Sequence, residues 1–337
     1  MNKFGFNLYL YQNIKMKHWI QAARLRTLPL SVSGILVGSL YALSHTTAIE
    51  LTPTAVFDWT IFGFAILTTL GLQILSNFAN DYGDGIKGTD NDDRIGPKRT
   101  IQSGLISPKA MKKAIVITAL STLISAILLV YFAFKDHYLG YSLFFLALGI
   151  LAIASAIRYT VGNNAFGYKG YGDLFVFIFF GLVSTLGVNF LYAKQLDYIL
   201  ILPACAIGFL SVGVLNLNNM RDFVNDKKSG KNTVVVKIGI KNAKKYHYFL
   251  IISAMVLTLL FAIQNDFEAD GGFNFDQYFF IIAYIPLCKH LNTVYKNTNP
   301  EELDAELKKL ALSTFLMAIL LSLCMIFFFS DLLVNNA

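Results

Sequence analysis

The sequence has too little charge for a protein that folds in water. Only 15% of its 337 residues are Asp, Glu, Lys or Arg, whereas 55% are hydrophobic. Soluble domains carry charge on about 25% of their residues, and disordered chains combine high charge with low hydrophobicity. This composition therefore excludes both classes and predicts a protein that is embedded in a membrane.

Patterns typical of disulfides and of thiolate or imidazole metal sites are also missing. Cys205, Cys288 and Cys324 each lie inside an apolar run, without C-x-x-C spacing. The five histidines lie in separate segments, without the short spacing of histidine metal ligands. These observations exclude a disulfide-stapled secreted module and argue against a metal centre built from Cys or His.

Long apolar runs make up most of the chain. A helix needs about 20 apolar residues to cross hydrocarbon that is ~30 Å thick, and backbone groups in lipid must be satisfied within the helix. The runs cover residues 27–45, 57–79, 114–134, 138–157, 173–193, 198–218, 247–264, 275–292 and 310–330. Pro286 interrupts the eighth run, which we interpret as a kinked span. The predicted fold class is an all-α polytopic membrane protein, with nine transmembrane helices bundled around a central cavity.

The basic residues give the orientation. With the N-terminus inside and the C-terminus outside, every Lys and Arg except Lys135 and Lys194 falls on the inner side, as the positive-inside rule expects. The net charge of +7 then reflects topology and contact with anionic membrane lipid rather than nucleic acid. We expect residues 1–17 to form an interfacial or loosely ordered lead-in and residues 18–337 a single membrane domain, without an obligate protein partner.

Polar residues concentrate in two segments on the inner side. The first polar segment covers residues 77–99, after the second run, and the second polar segment covers residues 216–231, after the sixth run. Asn80 and Asp84 are four residues apart, as are Asn218, Asp222 and Asp226, so each set lies along one face of a helix. Each polar segment therefore presents a column of oxygen ligands where a helix leaves the membrane.

Such columns of oxygen ligands suit a divalent cation. Like charges on one helical face repel each other, and carboxylate and amide oxygens favour Mg²⁺, which is commonly shared between one or two carboxylates and a substrate phosphate. Two facing columns would bind a diphosphate through Mg²⁺. Solvated loops are the alternative for either segment alone, but the repetition of the pattern favours a binding site.

At these residues the chain resembles the UbiA superfamily of intramembrane prenyltransferases. The first aspartate-rich motif of that family matches residues 80–88, with Gly88 in place of its last aspartate, and the second matches Asp222–Asp226. The chain is most similar to the branch of 1,4-dihydroxy-2-naphthoate polyprenyltransferases, which make menaquinone. That similarity extends to residues 23–29, 93–99, 102–104, 218–222 and 230–239. The resemblance covers roughly residues 17–330, and the family's nine helices equal the number of apolar runs.

The resemblance implies two substrates, a polyprenyl diphosphate and 1,4-dihydroxy-2-naphthoate, with Mg²⁺ as cofactor. The prenyl group would replace the carboxylate, releasing CO₂ and diphosphate and giving demethylmenaquinol. The expected catalytic carboxylates are Asp81, Asp84, Asp222 and Asp226, and the expected Mg²⁺ ligands are Asn80, Asp84, Asn218, Asp222 and Asp226. The expected diphosphate-binding residues are Lys87, Arg94, Lys98, Arg99, Arg221 and Lys231.

The binding site for the aromatic acceptor is less defined by sequence. Arg24 and Arg26 precede the first run and either follow from topology or bind the naphthoate carboxylate, with Arg26 as the candidate. Tyr159 follows Arg158 at the inner end of the fourth run and is either an acceptor contact or an interfacial anchor.

The sequence leaves alternatives to this function. Within the family, the acceptor could be 4-hydroxybenzoate, homogentisate or haem. In a different class, an ion-coupled secondary transporter would place carboxylates near the middle of the bilayer, where the apolar runs have none. We therefore expect an enzyme in the cell inner (cytoplasmic) membrane, with its active site facing the cytoplasm.

Overall fold

The structure, a computed structural model, describes residues 16–49, 58–91, 94–135, 137–268 and 275–335. The predicted lead-in over residues 1–17 lies almost entirely outside this range, and its last two residues begin a helix over residues 16–23. Throughout the described ranges the regular structure is helical, without β-strands. The all-α prediction is confirmed.

The main helices follow the apolar runs closely. They are α1 (Leu28–Ile49), α2 (Trp59–Lys87), α3 (Pro108–Phe134), α4 (Leu139–Arg158), α5 (Gly172–Ala193), α6 (Ile201–Arg221), α7 (Val234–Glu268), α8 (Tyr284–Lys296) and α9 (Leu303–Asn335). The middle of α5, Phe177–Gly187, is a π-helix. The backbone of α7 is broken at Gly239, which has a φ of 77°.

Among the residues that the structure describes, eight helices have the length and apolar composition to cross a membrane. The eighth predicted run is divided into a 3₁₀-helix, Phe275–Ala283, and α8, and neither piece alone reaches 18 residues. Pro286 lies in the first turn of α8, where its missing N–H is tolerated. The count of nine spans and the orientation of the termini stay predictions.

The two ends of helix α2 are fixed by local chemistry. Asp58 caps its N-terminus, because the carboxylate accepts hydrogen bonds from the backbone N–H groups of Thr60 and Ile61. Gly88 ends the helix with a φ of 71°, and its N–H donates to the carbonyl of Asp84. The left-handed conformation explains why glycine suits this position, where the family motif has an aspartate.

The helices enclose a cavity. Helix α1 contacts α2, α5 and α9, while α6 packs against α5, α7 and α9, and α2 packs against α3 and α4. Helices α5 and α6 approach so closely that a Cβ on Gly181 would lie 2.7 Å from the Cα of Gly208, the small-residue contact common between membrane helices. The enclosed cavity has a volume of about 370 Å³ and is lined from α1 to α6 and from α9. The predicted central cavity is confirmed.

Candidate active site

The two polar segments meet at one mouth of this cavity. The Asn225 side-chain amide donates to the carbonyl of Thr89 over 2.8 Å. Arg94 of the first segment lies 3.8 Å from the carboxylate of Asp222 in the second. Helices α2 and α6 therefore end side by side, and their polar exits form one cluster.

Asp84 and Asp226 share a single cation. The Lys231 Nζ lies 3.8 Å from Asp84 Oδ2 and 3.9 Å from Asp226 Oδ1. Asp226 Oδ2 is buried and has no hydrogen-bond partner among the described residues. Burial raises the pKa of Asp226 to about 6, helped by nearby carboxylates and opposed by Lys231. For Lys231, burial acts to lower the pKa, but Asp84 and Asp226 outweigh it and raise the pKa.

Tyr168 links this pair of carboxylates to the loop after α2. It lies in the 3₁₀-helix Phe166–Lys169, and its hydroxyl donates to Asp84 Oδ1 over 2.7 Å and lies 2.6 Å from the hydroxyl of Thr89. The ammonium groups of Lys87 and Lys231 lie 4.0 and 5.5 Å from the centre of its ring, within cation–π range. Tyr168 therefore orients Asp84 and supports both lysines.

Asp81 is bound differently from its neighbour Asp84. Its Oδ1 accepts hydrogen bonds from Arg24, at 2.6 Å, and Arg99, at 2.8 Å. Its Oδ2 accepts from the hydroxyl of Thr100 at 2.8 Å. Asp81 is 1% exposed, so its carboxylate is a buried and fully paired anchor for two arginines.

Asp222 has a similar role on the second segment. Arg221 forms a two-point contact with it, donating from Nε over 3.0 Å and from Nη2 over 2.7 Å. Burial alone would raise the pKa of Asp222, but these bonds outweigh burial and hold the pKa below its usual range. Arg221 also donates to Asp304 of α9 over 2.6 Å, and Arg26 lies 3.3 Å from the other oxygen of Asp304.

The predicted site residues divide into two groups by their relation to the cavity. Those that line it are Asn80, Asp84, Asn218, Arg99, Lys231, Arg26 and Tyr159. Those that lie behind its wall or beside its mouth are Asp81, Asp222, Asp226, Lys87, Arg94, Lys98 and Arg221. In the second group, Lys87 donates to the carbonyl of Thr160 over 2.8 Å, Arg94 lies 3.2 Å from Asp90, and Lys98 is exposed.

Two residues at this mouth, Tyr168 and Asp304, have no place in the expectations from sequence. Tyr168 lies between Gly167 and Gly170 in a loop that is rich in Gly and Tyr. Such a composition is only a weak signal for a turn near a ligand. Asp304 is an ordinary first-turn acidic residue of a helix, so only its spatial contact with Arg221 distinguishes it. Burial raises the pKa of Asp90 to about 7, which the sequence does not indicate.

The residues around Lys231 fit a hard divalent cation. In the part of the chain that the structure describes, no three His, Cys, Asp or Glu side chains are close enough to hold a metal ion by themselves. Mg²⁺ needs only one or two carboxylates when phosphate oxygens and water complete its shell. Asp84 and Asp226 face a shared positive charge, and Asp226 keeps an unpaired oxygen. This donor set suits Mg²⁺ that arrives with a phosphate.

Comparison with known proteins identifies the family. A model of the UbiA prenyltransferase family matches residues 41–320. The chain belongs to this family. It is 39% identical, over 92% of its length and 96% of the relative's, to a protein of Haemophilus influenzae named 1,4-dihydroxy-2-naphthoate octaprenyltransferase. It is 40% identical to the Escherichia coli protein of that name, over 84% of this chain and 86% of the relative.

Solved structures of the family share the fold. A UbiA homologue from Aeropyrum pernix, solved in its apo form, aligns with a TM-score of 0.62 over 93% of this chain and 99% of the homologue, at 13% identity. A homologue from Archaeoglobus fulgidus, bound to DMAPP and Mg²⁺, aligns with a TM-score of 0.51 over 88% and 99% of the two chains, at 16% identity.

The family membership decides between the classes of function that the sequence left open. The chain is a prenyltransferase enzyme of the UbiA family and a multi-pass membrane protein. The predicted resemblance is confirmed, both to the superfamily and to its naphthoate branch. The transporter alternative is wrong.

Proposed function

We propose that this enzyme transfers a polyprenyl group from a polyprenyl diphosphate to 1,4-dihydroxy-2-naphthoate in menaquinone synthesis. The naming of relatives that are 39% and 40% identical supports this acceptor. The observation that carries the proposal is the junction of Asp84, Lys231 and Asp226 at the polar mouth of an apolar cavity. The diphosphate would bind at the mouth, and the reacting end of the prenyl chain would lie in the cavity.

Mg²⁺ would bind at this mouth. Asp84 and Asp226 are the carboxylates of this cluster that lie farthest from their nearest cation. Asn80 and Asn218 line the same cavity, so these four residues would hold the ion. Asp222 would join them only when Arg221 releases it. The ion supplies Lewis-acid stabilisation of the diphosphate as it leaves, as the Mg²⁺ and DMAPP of the Archaeoglobus fulgidus homologue suggest for the family.

The basic residues would neutralise the remaining charge of the diphosphate. Lys231 is already at the mouth, and Arg99 lines the cavity beside it. Lys87 and Arg94 lie within the same cluster, and we propose that they and the exposed Lys98 bind the outer phosphate. Arg221 is fully buried and holds Asp222, so its contribution would be to position the second polar segment.

The acceptor would bind on the side of the cavity where α1 begins. Arg26 lines the cavity next to Arg24, and a guanidinium fork suits a carboxylate. Tyr159 also lines the cavity, in edge-to-face contact with Phe166. Both rings are suited to stabilise the allylic cation that forms when the C1–O bond breaks and its electron pair leaves with diphosphate.

The chemistry then needs only proximity and the exclusion of water. The ring carbon that bears the carboxylate forms the new bond to C1 of the prenyl group. Its bond to the carboxylate then breaks, CO₂ leaves, and the electron pair restores the aromatic ring as demethylmenaquinol. Water would quench an allylic cation. The apolar part of the cavity, away from the polar mouth, would exclude water and hold the prenyl chain. We propose that the site faces the cytoplasm from the inner membrane.

The assay that tests this proposal uses the full chain, purified in detergent or nanodiscs. Dihydroxynaphthoate, a polyprenyl diphosphate and Mg²⁺ should give demethylmenaquinol, CO₂ and diphosphate, identified by mass spectrometry, and chelation of Mg²⁺ should stop the reaction. Parallel reactions with 4-hydroxybenzoate, homogentisate and haem test the alternative acceptors. Prenylation of one of these in preference to dihydroxynaphthoate would overturn the proposed acceptor.

A further inference from the structure

A buried carbonyl oxygen on the wall of the cavity has no hydrogen-bond donor. The Gln73 side chain lines the cavity and is 9% exposed, and its Oε1 is buried without a partner among the residues that the structure describes. An unpaired buried acceptor is unfavourable, and most such groups in native proteins find a partner. Gln73 therefore marks a place where a ligand can supply the missing hydrogen.

The orientation of the Gln73 amide is fixed by its neighbours. The Thr27 hydroxyl donates its single hydrogen to the carbonyl of Arg24 over 2.9 Å. Its oxygen can then only accept, which it does from Gln73 Nε2 over 3.0 Å and from Asn77 Nδ2 over 3.3 Å. The Gln73 NH₂ group is held at Thr27, and the carbonyl oxygen is left as a hydrogen-bond acceptor.

Gln73 also lies on the helical face that leads to the diphosphate end of the cavity. Gln73, Asn77, Asn80 and Asp84 follow each other on α2 at spacings of four, three and four residues, which places them on one face. All four line the cavity. The rise of α2 puts Gln73 about 16 Å from Asp84 along the helix, so the acceptor ring would lie between the leaving diphosphate and Gln73.

Only one of the proposed substrates has a hydrogen to donate there. A prenyl chain has no hydrogen-bond donor, and diphosphate and carboxylate oxygens are acceptors, which Gln73 Oε1 would repel. A phenolic hydroxyl of the acceptor is a donor. We propose that Gln73 binds a ring hydroxyl of the hydroxyaromatic acceptor and selects it against analogues that lack this hydrogen. This inference rests on the proposed function.

The test compares dihydroxynaphthoate with its two mono-methyl ethers, each of which cannot donate at one ring position. The wild type should reject one ether, because a site built around a buried acceptor discriminates strongly against ligands that leave it unpaired. Gln73→Met should raise the KM for dihydroxynaphthoate about ten-fold. It should reduce the preference for dihydroxynaphthoate over that ether, measured as the ratio of kcat/KM values, by a similar factor. The KM for polyprenyl diphosphate should stay unchanged.

Two further variants provide controls. Thr68→Val removes another cavity hydroxyl, whose partner is Ser125 at 2.8 Å, and should leave the preference over the ether unchanged. Thr27→Val keeps Gln73 but frees its amide to turn, so it should reduce the preference by a smaller factor. If Gln73→Met does not fold, Thr27→Val tests the role of Gln73 Oε1 in its place.

The outcomes separate this inference from the proposed function. If the wild type prenylates dihydroxynaphthoate and both Gln73→Met and Thr27→Val keep its preference over both ethers, the role of Gln73 is overturned and the function stands. If the wild type prenylates a different phenol instead, the proposed acceptor is overturned, and the same comparison with that phenol and its ether decides the role of Gln73.

Discussion

Two pairs of buried aspartates lie within one cluster and differ in their partners. Asp81 and Asp222 contact arginines at 2.6 to 3.0 Å. Among the described residues, the cation nearest to Asp84 and Asp226 is Lys231, at 3.8 and 3.9 Å, and Asp84 also accepts a hydrogen bond from Tyr168. A buried carboxylate bound by a guanidinium fork is already satisfied. A carboxylate with a distant cation still attracts positive charge. We infer that Asp81 and Asp222 stabilise the mouth, whereas Asp84 and Asp226 bind the ligand.

Substitution of the second pair should give the largest loss of turnover. We expect Asp84→Asn and Asp226→Asn each to lower kcat by about 10²–10³-fold, because each removes one preorganised charge from the leaving-group end. Thermal unfolding should change little. Asp197→Asn is the matched control, since Asp197 binds Tyr41 at the opposite end of the bundle. Full activity of both site variants would contradict the division of roles.

Substitution in the first pair should affect stability most. Asp81→Asn leaves Arg24 and Arg99 in a buried setting without their shared charge, which should lower the free energy of unfolding by about 3 kcal/mol. Thermal denaturation in detergent measures this, with Asp84→Asn as the comparison. An Asp81→Asn protein as stable as the wild type would show that the arginines do not depend on this carboxylate.

A smaller effect is expected at Tyr168, which orients Asp84 of the second pair. Tyr168→Phe keeps the ring beside Lys87 and Lys231 but removes the hydroxyl that binds Asp84. Loss of this hydrogen bond should cost about 1 kcal/mol, seen as a roughly five-fold higher Mg²⁺ requirement in steady-state assays. Tyr171→Phe is the control, because Tyr171 is 55% exposed. Equal Mg²⁺ dependence of the two variants would refute the role of Tyr168.

The smallest effect is expected at the end of α2. Gly88→Ala places a Cβ at a φ of 71° with free space around it, so strain alone should lower stability by about 1 kcal/mol. Gly88→Asn should be milder, because Asn tolerates this conformation. Denaturation of both variants measures the difference, and turnover should be kept. A loss of activity without a loss of stability would assign Gly88 a role in the ligand site.

Some features of the site follow from short-range rules and were predictable. The spacing of Asn80 and Asp84 places both on one helical face, and both line the cavity. The equal parity of the second and sixth spans predicts that both polar segments exit on one side, and the bond between Asn225 and Thr89 joins them. These rules do not say which carboxylate meets which cation, because that depends on helix rotation and on the path of the loops.

Long-range pairing accounts for the features that sequence reasoning missed. His247 and His290 are 43 residues apart, yet their Nε2 atoms lie 2.8 Å from each other, and His290 Nδ1 lies 2.6 Å from Glu306. Arg221 donates over 2.6 Å to Asp304, which lies 83 residues further along the chain. A side chain's direction at a helix end is decided by its rotamer and neighbours, which spacing alone does not contain.

The sequence by itself determined the membrane class, the helices and the two polar exits, because hydrophobic length and the charge of loops act locally along the chain. The tertiary structure alone decided that Lys231 lies between Asp84 and Asp226 and that arginines bind Asp81 and Asp222. It also decided that Gln73 Oε1 is buried without a hydrogen-bond donor from the described part of the chain. The physical reason is that short-range electrostatics and hydrogen bonds depend on distances of a few ångströms, which only helix packing fixes.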